Sequence, residues 1–238
     1  MNIIKKLLPF KYKRSVKENL GVPSLHWSLQ NLKKKKFNPR SVLDIGAYEG
    51  YWTLDLLEVF PAAQVLMVEA QENKKPFLDK VKHNYPGTDY SVTLLSSVDG
   101  EEKYFCENET ASSITLSPAA GLSTKTLRTR TLDSLLQEKQ FPLPDLMKLD
   151  VQGHELEVLK GATVALAHAE ICLLEVTLID FGEGNPLLLE MINYMDNNGF
   201  QAYDISQFIR RPYDKALFQI DMFFVKKNSS MIAEKRWD

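Results

Sequence analysis

The feature that most constrains the fold is a short apolar run that ends in glycines and leads directly into a helical pattern. Residues 42–45 form the run, Gly46 and Gly50 follow it, and the helical pattern begins at Tyr51. A near-continuous apolar run of this length is typical of a buried parallel strand. Glycines at the turn let a ligand approach the main chain, and the free N–H groups of the next helix point to the same place. The stretch predicts either a nucleotide-type cofactor turn or an ordinary strand–turn–helix unit.

An acid at the end of the next apolar run favours the cofactor turn. Residues 64–68 predict a second strand, and Glu69 follows it, 69 − 46 = 23 positions after Gly46. In a βαβ nucleotide-binding unit an acid stands roughly 20 residues past the glycine turn and binds the ribose diol. A carboxylate suits that role because its two oxygens can accept from two adjacent hydroxyls. The alternative is that Glu69 caps a helix that starts near Asn73.

Strands and helices alternate over the rest of the chain, which predicts a mostly parallel sheet with helices on both faces. Helices are predicted over residues 51–59, 74–84, 132–137, 156–167 and 187–197, and further strands over residues 90–95, 102–106, 126–131, 145–149, 171–176, 200–205 and 217–226. Residues 107–125 are polar and rich in Ser and Thr, which predicts a loop over the site. Residues 206–216 predict a second loop that would contact the acceptor.

Polar side chains follow several of these strands. Ser96 and Ser97 follow the third strand, while Asp150 and His154 lie at the tip of a later strand and the mouth of the next helix. The strand after that helix brings Glu175 to the same edge. Ligands of open α/β sheets bind outside the carboxyl ends of the strands. We therefore expect these side chains to face the same crevice as the glycine turn.

Charge is distributed unevenly along the chain. The formal net charge is −2 over 238 residues, but residues 1–40 hold eleven Lys or Arg and one acid, giving +10, so that the remainder carries −12. This basic N-terminal helical leader predicts either a solvated helix face or an arm that contacts an acidic surface weakly. Residues 228–238 are interpreted as a C-terminal tail.

The cysteine content and the hydropathy of the chain favour a reducing cellular compartment for the protein. The chain has two cysteines far apart in sequence, and Cys172 stands in an apolar run where a buried thiol is expected. No stretch approaches the ~18 apolar residues that span a bilayer, and the first apolar run is too short for a signal peptide. We therefore expect a cytoplasmic protein in a reducing compartment.

Four stretches of the chain together form a family pattern. They are Val42–Ala47, Val68–Glu69, Lys148–Ala162 and Asp221–Val225. The pattern resembles the FkbM family of S-adenosylmethionine-dependent methyltransferases, over about residues 40 to 226 and most specifically over the third stretch. The resemblance implies a Rossmann-like class I methyltransferase fold over residues 41–227, an α/β domain whose seven-stranded, mostly parallel sheet has an antiparallel last strand. It also implies methyl transfer from S-adenosylmethionine to a hydroxyl oxygen of a sugar or natural product.

Carried onto this chain, the resemblance implies a set of cofactor-binding residues. They are Asp44, Gly46, Ala47, Tyr48, Gly50, Glu69, Ala70, Ser96, Ser97 and Asp150. Glu69 would hold the ribose diol, Ser96 or Ser97 would lie beside the adenine, and Asp150 would lie near the sulfonium. The chain departs from the family pattern at Tyr48, where asparagine is frequent, at Ala70, where proline is frequent, and at Ser97, where an acid or amide is frequent.

A hydroxyl acceptor must lose its proton, and a base within reach contributes typically ~10²–10⁴-fold. His154 is one candidate base, because an imidazole can be neutral near pH 7 and a helix N-terminus disfavours its protonated form. Asp150 is another, or it positions the sulfonium. Glu155 is either catalytic or complements the helix dipole. Glu175 either binds the acceptor or closes a polar network.

Two other functions remain open at this stage. One is a non-catalytic S-adenosylmethionine-binding or partner-binding module, since fold does not imply function. The other is an NAD-dependent oxidoreductase, against which Tyr48 counts because it replaces the middle glycine of the dinucleotide fingerprint. We expect no metal, because no His-x-x-x-His or Cys cluster accompanies the acids, and no nucleic-acid partner. The expected partner is a small-molecule hydroxyl acceptor.

Overall fold

A computed structural model of the chain describes residues 22–115, 117, 123–180, 185–234 and 237. The first 21 residues of the basic leader therefore lie outside the described residues. The helices are α1 (Leu25–Lys34), α2 (Tyr51–Val59), α3 (Lys75–Asn84), α4 (Leu132–Lys139), α5 (Glu155–Lys160), α6 (Thr163–His168) and α7 (Leu188–Asn197). The strands are β1 (Ser41–Ile45), β2 (Gln64–Glu69), β3 (Thr88–Val92), β4 (Leu94–Leu95), β5 (Glu102–Glu107), β6 (Ser113–Thr115), β7 (Ser123–Arg130), β8 (Leu146–Leu149), β9 (Ile171–Thr177), β10 (Phe200–Arg210) and β11 (Leu217–Lys226). Short 3₁₀ helices cover Glu72–Lys74, Glu109–Ala111 and Ser230–Ile232.

Seven strands form one sheet in the order β10-β11-β9-β8-β1-β2-β3. The pairs from β9 through β3 are parallel, and β11 runs antiparallel to both of its neighbours. The predicted mostly parallel sheet with an antiparallel last strand is confirmed. The predicted bounds of α2 and of β11 also agree with the structure.

Apolar side chains cover both faces of this sheet, because successive residues of a strand point to opposite faces. In β1, Val42 belongs to the same buried apolar cluster as Leu29 and Leu56 on one face, whereas Leu43 belongs to the cluster of Val158 and Met195 on the other. Helices α1, α2 and α3 thus cover one face, and α4 to α7 cover the other. The prediction of helices on both faces is confirmed.

A second, smaller sheet contains the predicted strands 102–106 and 126–131 and part of the predicted loop between them. Its order is β4-β7-β5-β6, and β5 pairs antiparallel with both β6 and β7. The prediction of a loop over residues 107–125 is therefore wrong in part, since a 3₁₀ helix, β6 and the start of β7 lie within it. The pairing of Glu102 with Arg128 joins distant stretches, which local composition does not report.

Two predicted elements are divided in the structure. The predicted strand 90–95 is wrong as one strand, because β3 ends at Val92 and pairs with β2, whereas β4 pairs with β7. The predicted helix 156–167 is two helices separated at Gly161. A Cβ at Gly161 would lie 2.2 Å from the main-chain oxygen of Ser96, so the chain turns there to let the two segments meet.

The segments on either side of the predicted domain pack against it. Leu29 and Leu32 of α1 are fully buried, and Met231, in the predicted tail, is buried in the same cluster. The Lys35 ammonium donates to the main-chain oxygen of Met231 over 2.9 Å. The boundaries at residues 40 and 227 stay predictions. Across the part of the chain that the structure describes, no helix is long and apolar enough to cross a membrane.

Candidate active site

The carboxyl ends of β1, β2 and β8 border a cavity of about 270 Å³. The turn after β1 lines one part of it, and the segment between β8 and α5 lines another. Phe105 and Ile114 of the smaller sheet line it as well. The cavity therefore lies where parallel sheets bind ligands, at the carboxyl edge of the strands.

Gly46 fixes the turn after β1. Its φ is +74°, and a Cβ there would lie 1.7 Å from the main-chain oxygen of Asp150. The N–H groups of Gly46 and Ala47 donate to the main-chain oxygen of Val68 over 2.9 and 3.0 Å. Only glycine lets the β1 turn lie this close to the segment after β8, so Gly46 joins two walls of the cavity.

Glu69 lies at the tip of β2 and lines the cavity together with Ala70. Its side chain is buried, and its two carboxylate oxygens accept from the N–H groups of Tyr48 and Gln71 over 2.7 and 2.9 Å. The acid thus holds the glycine turn and the start of the next segment in place. Each oxygen retains capacity for a further hydrogen bond.

Gly50 and Asp44 belong to the support of the turn and do not line the cavity. Gly50 has φ +81°, and a Cβ there would press on Val81. Asp44 is fully buried and accepts from the Thr53 hydroxyl over 2.7 Å. The structure places these two predicted cofactor residues behind the turn.

Lys148 is a buried cation in the middle of β8. Its ammonium lies 3.1 Å from Asp44 Oδ1 and 3.7 Å from Asp150 Oδ2, and it donates to the main-chain oxygen of Gly46 over 2.8 Å. Burial alone would lower the pKa of Lys148, but the two carboxylates outweigh it and hold the pKa above its usual value. Lys148 therefore stays charged and ties the tips of β1 and β8 together.

Ser96 and Ser97 make two separate polar contacts beside the cavity. Ser96 Oγ and His154 Nε2 are 3.0 Å apart, and the Ser97 hydroxyl donates to Glu157 over 2.7 Å. His154 lines the cavity, whereas neither serine does. Burial, assisted by the charge of Lys103, lowers the pKa of His154 to about 4, so the imidazole is neutral at physiological pH.

The smaller sheet is fastened over the cavity by Glu109. Its carboxylate accepts from the Tyr48 hydroxyl over 2.7 Å and from the Lys74 ammonium over 2.9 Å. Lys74 also lies 4.0 Å from the centre of the Tyr48 ring. Glu109 and Tyr48 both line the cavity, so this contact closes part of its rim.

A second cavity, of about 200 Å³, shares Trp52, Lys148 and Asp150 with the first. Glu175 of β9 and Asp221 of β11 line it, and they face each other in the antiparallel register. The two cavities therefore meet at one wall, and Asp150 lies on it.

The Gln152 side chain connects the acids of this wall. Its amide nitrogen donates to Asp150 over 2.9 Å and to Glu175 over 3.1 Å. Burial, and then the negative charge of Asp150, raises the pKa of Glu175 well above its usual range. The same two causes raise the pKa of Asp221 to about 7.

Glu155 holds the segment between β8 and α5 and lines neither cavity. One of its carboxyl oxygens accepts from the N–H groups of Val151 and Gly153 over 2.8 and 3.3 Å. Burial raises its pKa to about 7, against the opposing effect of these hydrogen bonds. The Glu155 carboxyl therefore fixes the main chain of the segment that follows Asp150.

The site also contains residues to which the sequence assigned no role: Trp52, Lys148, Gln152 and Asp221. A signal existed for Lys148, because a lysine inside a short apolar strand must be paired with an acid. Asp221 carried the same signal, because it is an acid inside an apolar strand, whereas Trp52 and Gln152 carried none. Within the described residues, no group of three or more His, Cys, Asp or Glu side chains is arranged to hold a metal ion.

Comparison with known proteins gives one family and one fold. Residues 44–202, 159 of the chain's 238, match the family model of the methyltransferase FkbM domain. Over 51 residues the chain is 43% identical to hexuronic acid methyltransferase AglP of Haloferax volcanii, and this match covers 21% of each protein. The fold is similar to the crystal structure of methyltransferase FkbM from Methylobacillus flagellatus KT, with a TM-score of 0.51 and 17% identity. That likeness covers 77% of this chain and 43% of the other, so the chain spans less than half of either relative.

Proposed function

Because the chain belongs to the FkbM family of methyltransferases, we propose that it transfers a methyl group from S-adenosylmethionine to a hydroxyl oxygen of a small molecule such as a sugar or natural product. The observation that carries the proposal is the shared wall of the two cavities. One cavity has the features of a nucleotide site, and the other is lined by acids that can bind hydroxyls. Asp150 lies between them, where an acceptor and a methyl donor would meet.

The residues of the first cavity fit the proposed cofactor. The Glu69 carboxylate can accept from two ribose hydroxyls, and the buried side chains of Leu94 and Leu95 offer an apolar wall for a base. The main chain from Gly46 to Tyr48 would hold the remaining polar part. When bound, S-adenosylmethionine supplies an electrophilic methyl group on a sulfonium.

Asp150 is the proposed proton acceptor. Its carboxylate borders both cavities, and the Lys148 ammonium and the Gln152 amide hold it in place. It would take the proton of the acceptor hydroxyl as that oxygen takes the methyl group. Such a base contributes typically ~10²–10⁴-fold, and alignment of the reactants can supply up to about 7–11 kcal/mol of the barrier.

The other predicted catalytic residues receive different roles in this proposal. His154 borders the cofactor cavity alone and is held by Ser96, so it positions that wall. Glu155 positions the segment that carries Asp150. Glu175 borders the second cavity and would contact the acceptor.

Calorimetric titration tests the cofactor assignment. S-adenosylmethionine should bind the full chain with micromolar affinity, whereas NAD should not bind. Glu69→Ala should weaken the affinity about tenfold or more, since it removes the acid of the cavity and also an acceptor for two main-chain N–H groups. Glu72→Ala is the matched control, because Glu72 is an exposed acid close by that does not line the cavity. Absence of S-adenosylmethionine binding to the unaltered chain would contradict the proposal.

Asp150→Asn tests the proton acceptor. The variant should retain S-adenosylmethionine affinity within about threefold but lose roughly 10²–10⁴-fold in turnover, measured as S-adenosylhomocysteine formed with a hydroxyl acceptor found by screening. Turnover equal to that of the unaltered chain would remove Asp150 from the chemistry.

A further inference from the structure

On the premise of the proposed function, the residues that line the second cavity indicate the chemical class of the acceptor. Its walls come from α1, α2, β8, β9, β10 and β11, and Leu25 and Leu173 provide apolar surface. At about 200 Å³ it lies below the usual range of ligand pockets, roughly 300–1,000 Å³. It therefore suits one small ring or the end of a larger molecule.

The charges that line this cavity are nearly all negative. Acids come from three directions, with Asp55 on α2, Glu175 on β9 and Asp221 on β11, in addition to Asp150 on the shared wall. The single basic residue among its lining side chains is Lys148, which is already paired with two carboxylates. The described lining thus offers a carboxylate of the acceptor no unpaired cation.

An independent observation points to a ligand with an acceptor oxygen. Trp52 borders both cavities, and its indole nitrogen is buried with no hydrogen-bond partner among the described residues. Buried donors in native structures almost always have a partner. A ligand hydroxyl group can pair with both kinds of group on this wall, because it accepts from the indole N–H and donates to a carboxylate.

We propose that the second cavity binds an uncharged, hydroxyl-bearing ring, and that Glu175 and Asp221 make it reject an acceptor that carries a carboxylate. Trp52 is the donor that fixes one hydroxyl oxygen, and the acids accept from the others. The inference deepens the proposed function by naming the acceptor class. It separates this chain from the relative in Haloferax volcanii, whose name specifies a hexuronic acid.

The raised pKa values of the two acids show that this cavity disfavours negative charge. At pH 8, above the pKa of Asp221, the Asp221 side chain is ionised and repels a second carboxylate. Burial and the nearby negative charge already disfavour ionisation of Glu175 and Asp221. An acceptor carboxylate would add negative charge to the same surroundings. Like charges brought together in a binding interface typically cost several kcal/mol. A neutral ring meets no such penalty.

Two-dimensional ¹⁵N–¹H NMR of the full chain reads the indole signals directly. The chain has three tryptophans, and Trp52→Phe identifies the signal of Trp52. In the presence of S-adenosylhomocysteine and at pH 8, where Asp221 is ionised, methyl α-D-glucopyranoside and methyl α-D-glucuronoside are titrated separately. These probes differ at one carbon, which carries a hydroxymethyl group in the first and a carboxylate in the second.

The glucopyranoside should shift the Trp52 signal with saturation, and the glucuronoside should require at least about tenfold higher concentration. In the double variant Glu175→Gln/Asp221→Asn the two probes should bind within about threefold of each other. The double variant Glu72→Gln/Glu102→Gln replaces two acids at exposed positions outside both cavities, and it should keep the difference.

Equal binding of the two probes to the unaltered chain, or no response of the Trp52 signal to either, would overturn the inference. A difference that persists unchanged in the Glu175/Asp221 double variant would also overturn it. Failure of S-adenosylhomocysteine to shift any signal contradicts the proposed function instead. The two failures are therefore distinguishable in one experiment.

Discussion

The two cavities that meet at Asp150 are built in different ways. The first takes its shape from the main chain of the turn after β1 and from one acid, Glu69, at the tip of β2. The second is assembled from side chains on six separate elements, and most of the charged residues that line it are acids. A cofactor site can therefore be encoded in contiguous stretches of sequence, whereas acceptor selection depends on side chains that only the fold brings together.

The largest expected effect comes from breaking the turn of the first cavity. Gly46→Ala should destabilise the fold by more than about 4 kcal/mol, because the new Cβ would lie 1.7 Å from a main-chain oxygen that cannot move away. Gly199→Ala is the control, since Gly199 also has positive φ but open space around its Cβ, and it should cost only about 1 kcal/mol. Urea unfolding measures both, and equal losses would show that the close approach in the turn is not the constraint.

Lys148 serves both cavities, so its loss should weaken them together. Lys148→Met leaves the buried Asp44 carboxylate unpaired and should cost about 3 kcal/mol in the free energy of unfolding. Lys82→Met breaks an exposed ion pair with Asp89 and should cost less than about 1 kcal/mol. The double variant Asp44→Asn/Lys148→Met should recover part of the loss. A loss from Lys148→Met no larger than that from Lys82→Met would contradict the account.

The free energy of unfolding should depend on pH through an acid of the second cavity, Asp221. The pKa of Asp221 is about 7 in the folded chain, above its ordinary value of 3.8. A raised folded-state pKa contributes stability that is present below the ordinary value and is lost as pH rises through the folded value. Asp221→Asn should therefore gain roughly 2 kcal/mol relative to the unaltered chain between pH 5 and pH 8. Urea unfolding at the two pH values measures it, and a constant difference would contradict the assignment.

The smallest expected effect on cofactor affinity comes from a residue just outside the first cavity. Ser96 or Ser97 was predicted to lie beside the adenine, but the Ser97 hydroxyl donates to Glu157 and Ser97 does not line the cavity. Ser97→Ala should change S-adenosylmethionine affinity by less than about twofold, whereas Thr93→Phe, which fills the cavity, should weaken it at least about tenfold. Calorimetry decides between them, and a tenfold loss in Ser97→Ala would restore the predicted role.

Much of the fold follows from local sequence. The apolar run before Gly46 and the apolar pattern of β11 gave correct elements, because strands buried on both faces need continuous apolar side chains. Strands β5 and β7 of the smaller sheet were predicted, but their pairing was not, because they are distant in sequence and pair through main-chain bonds. Strand β10 continues to Arg210, five residues past its predicted end, since its outer half pairs with β11 but leaves most side chains exposed.

The residues of the candidate site also divide into those that the sequence could predict and those that only the fold brings together. Glu69 and Asp150 follow apolar strands, so their place at the carboxyl edge could be read from the sequence. Trp52 and Asp221 become neighbours of Asp150 only through the order of the strands and the packing of α2. The predicted functional roles of all these residues stay predictions that the experiments above test.

A crystal structure of the chain with S-adenosylhomocysteine bound tests the central claim most directly. The account predicts the ribose hydroxyls within hydrogen-bond distance of the Glu69 carboxylate and the sulfur at the wall formed by Trp52, Lys148 and Asp150. Only that placement would direct a methyl group into the second cavity. A sulfur that lies on the far side of the first cavity, away from Asp150, would contradict the claim that the two cavities hold donor and acceptor.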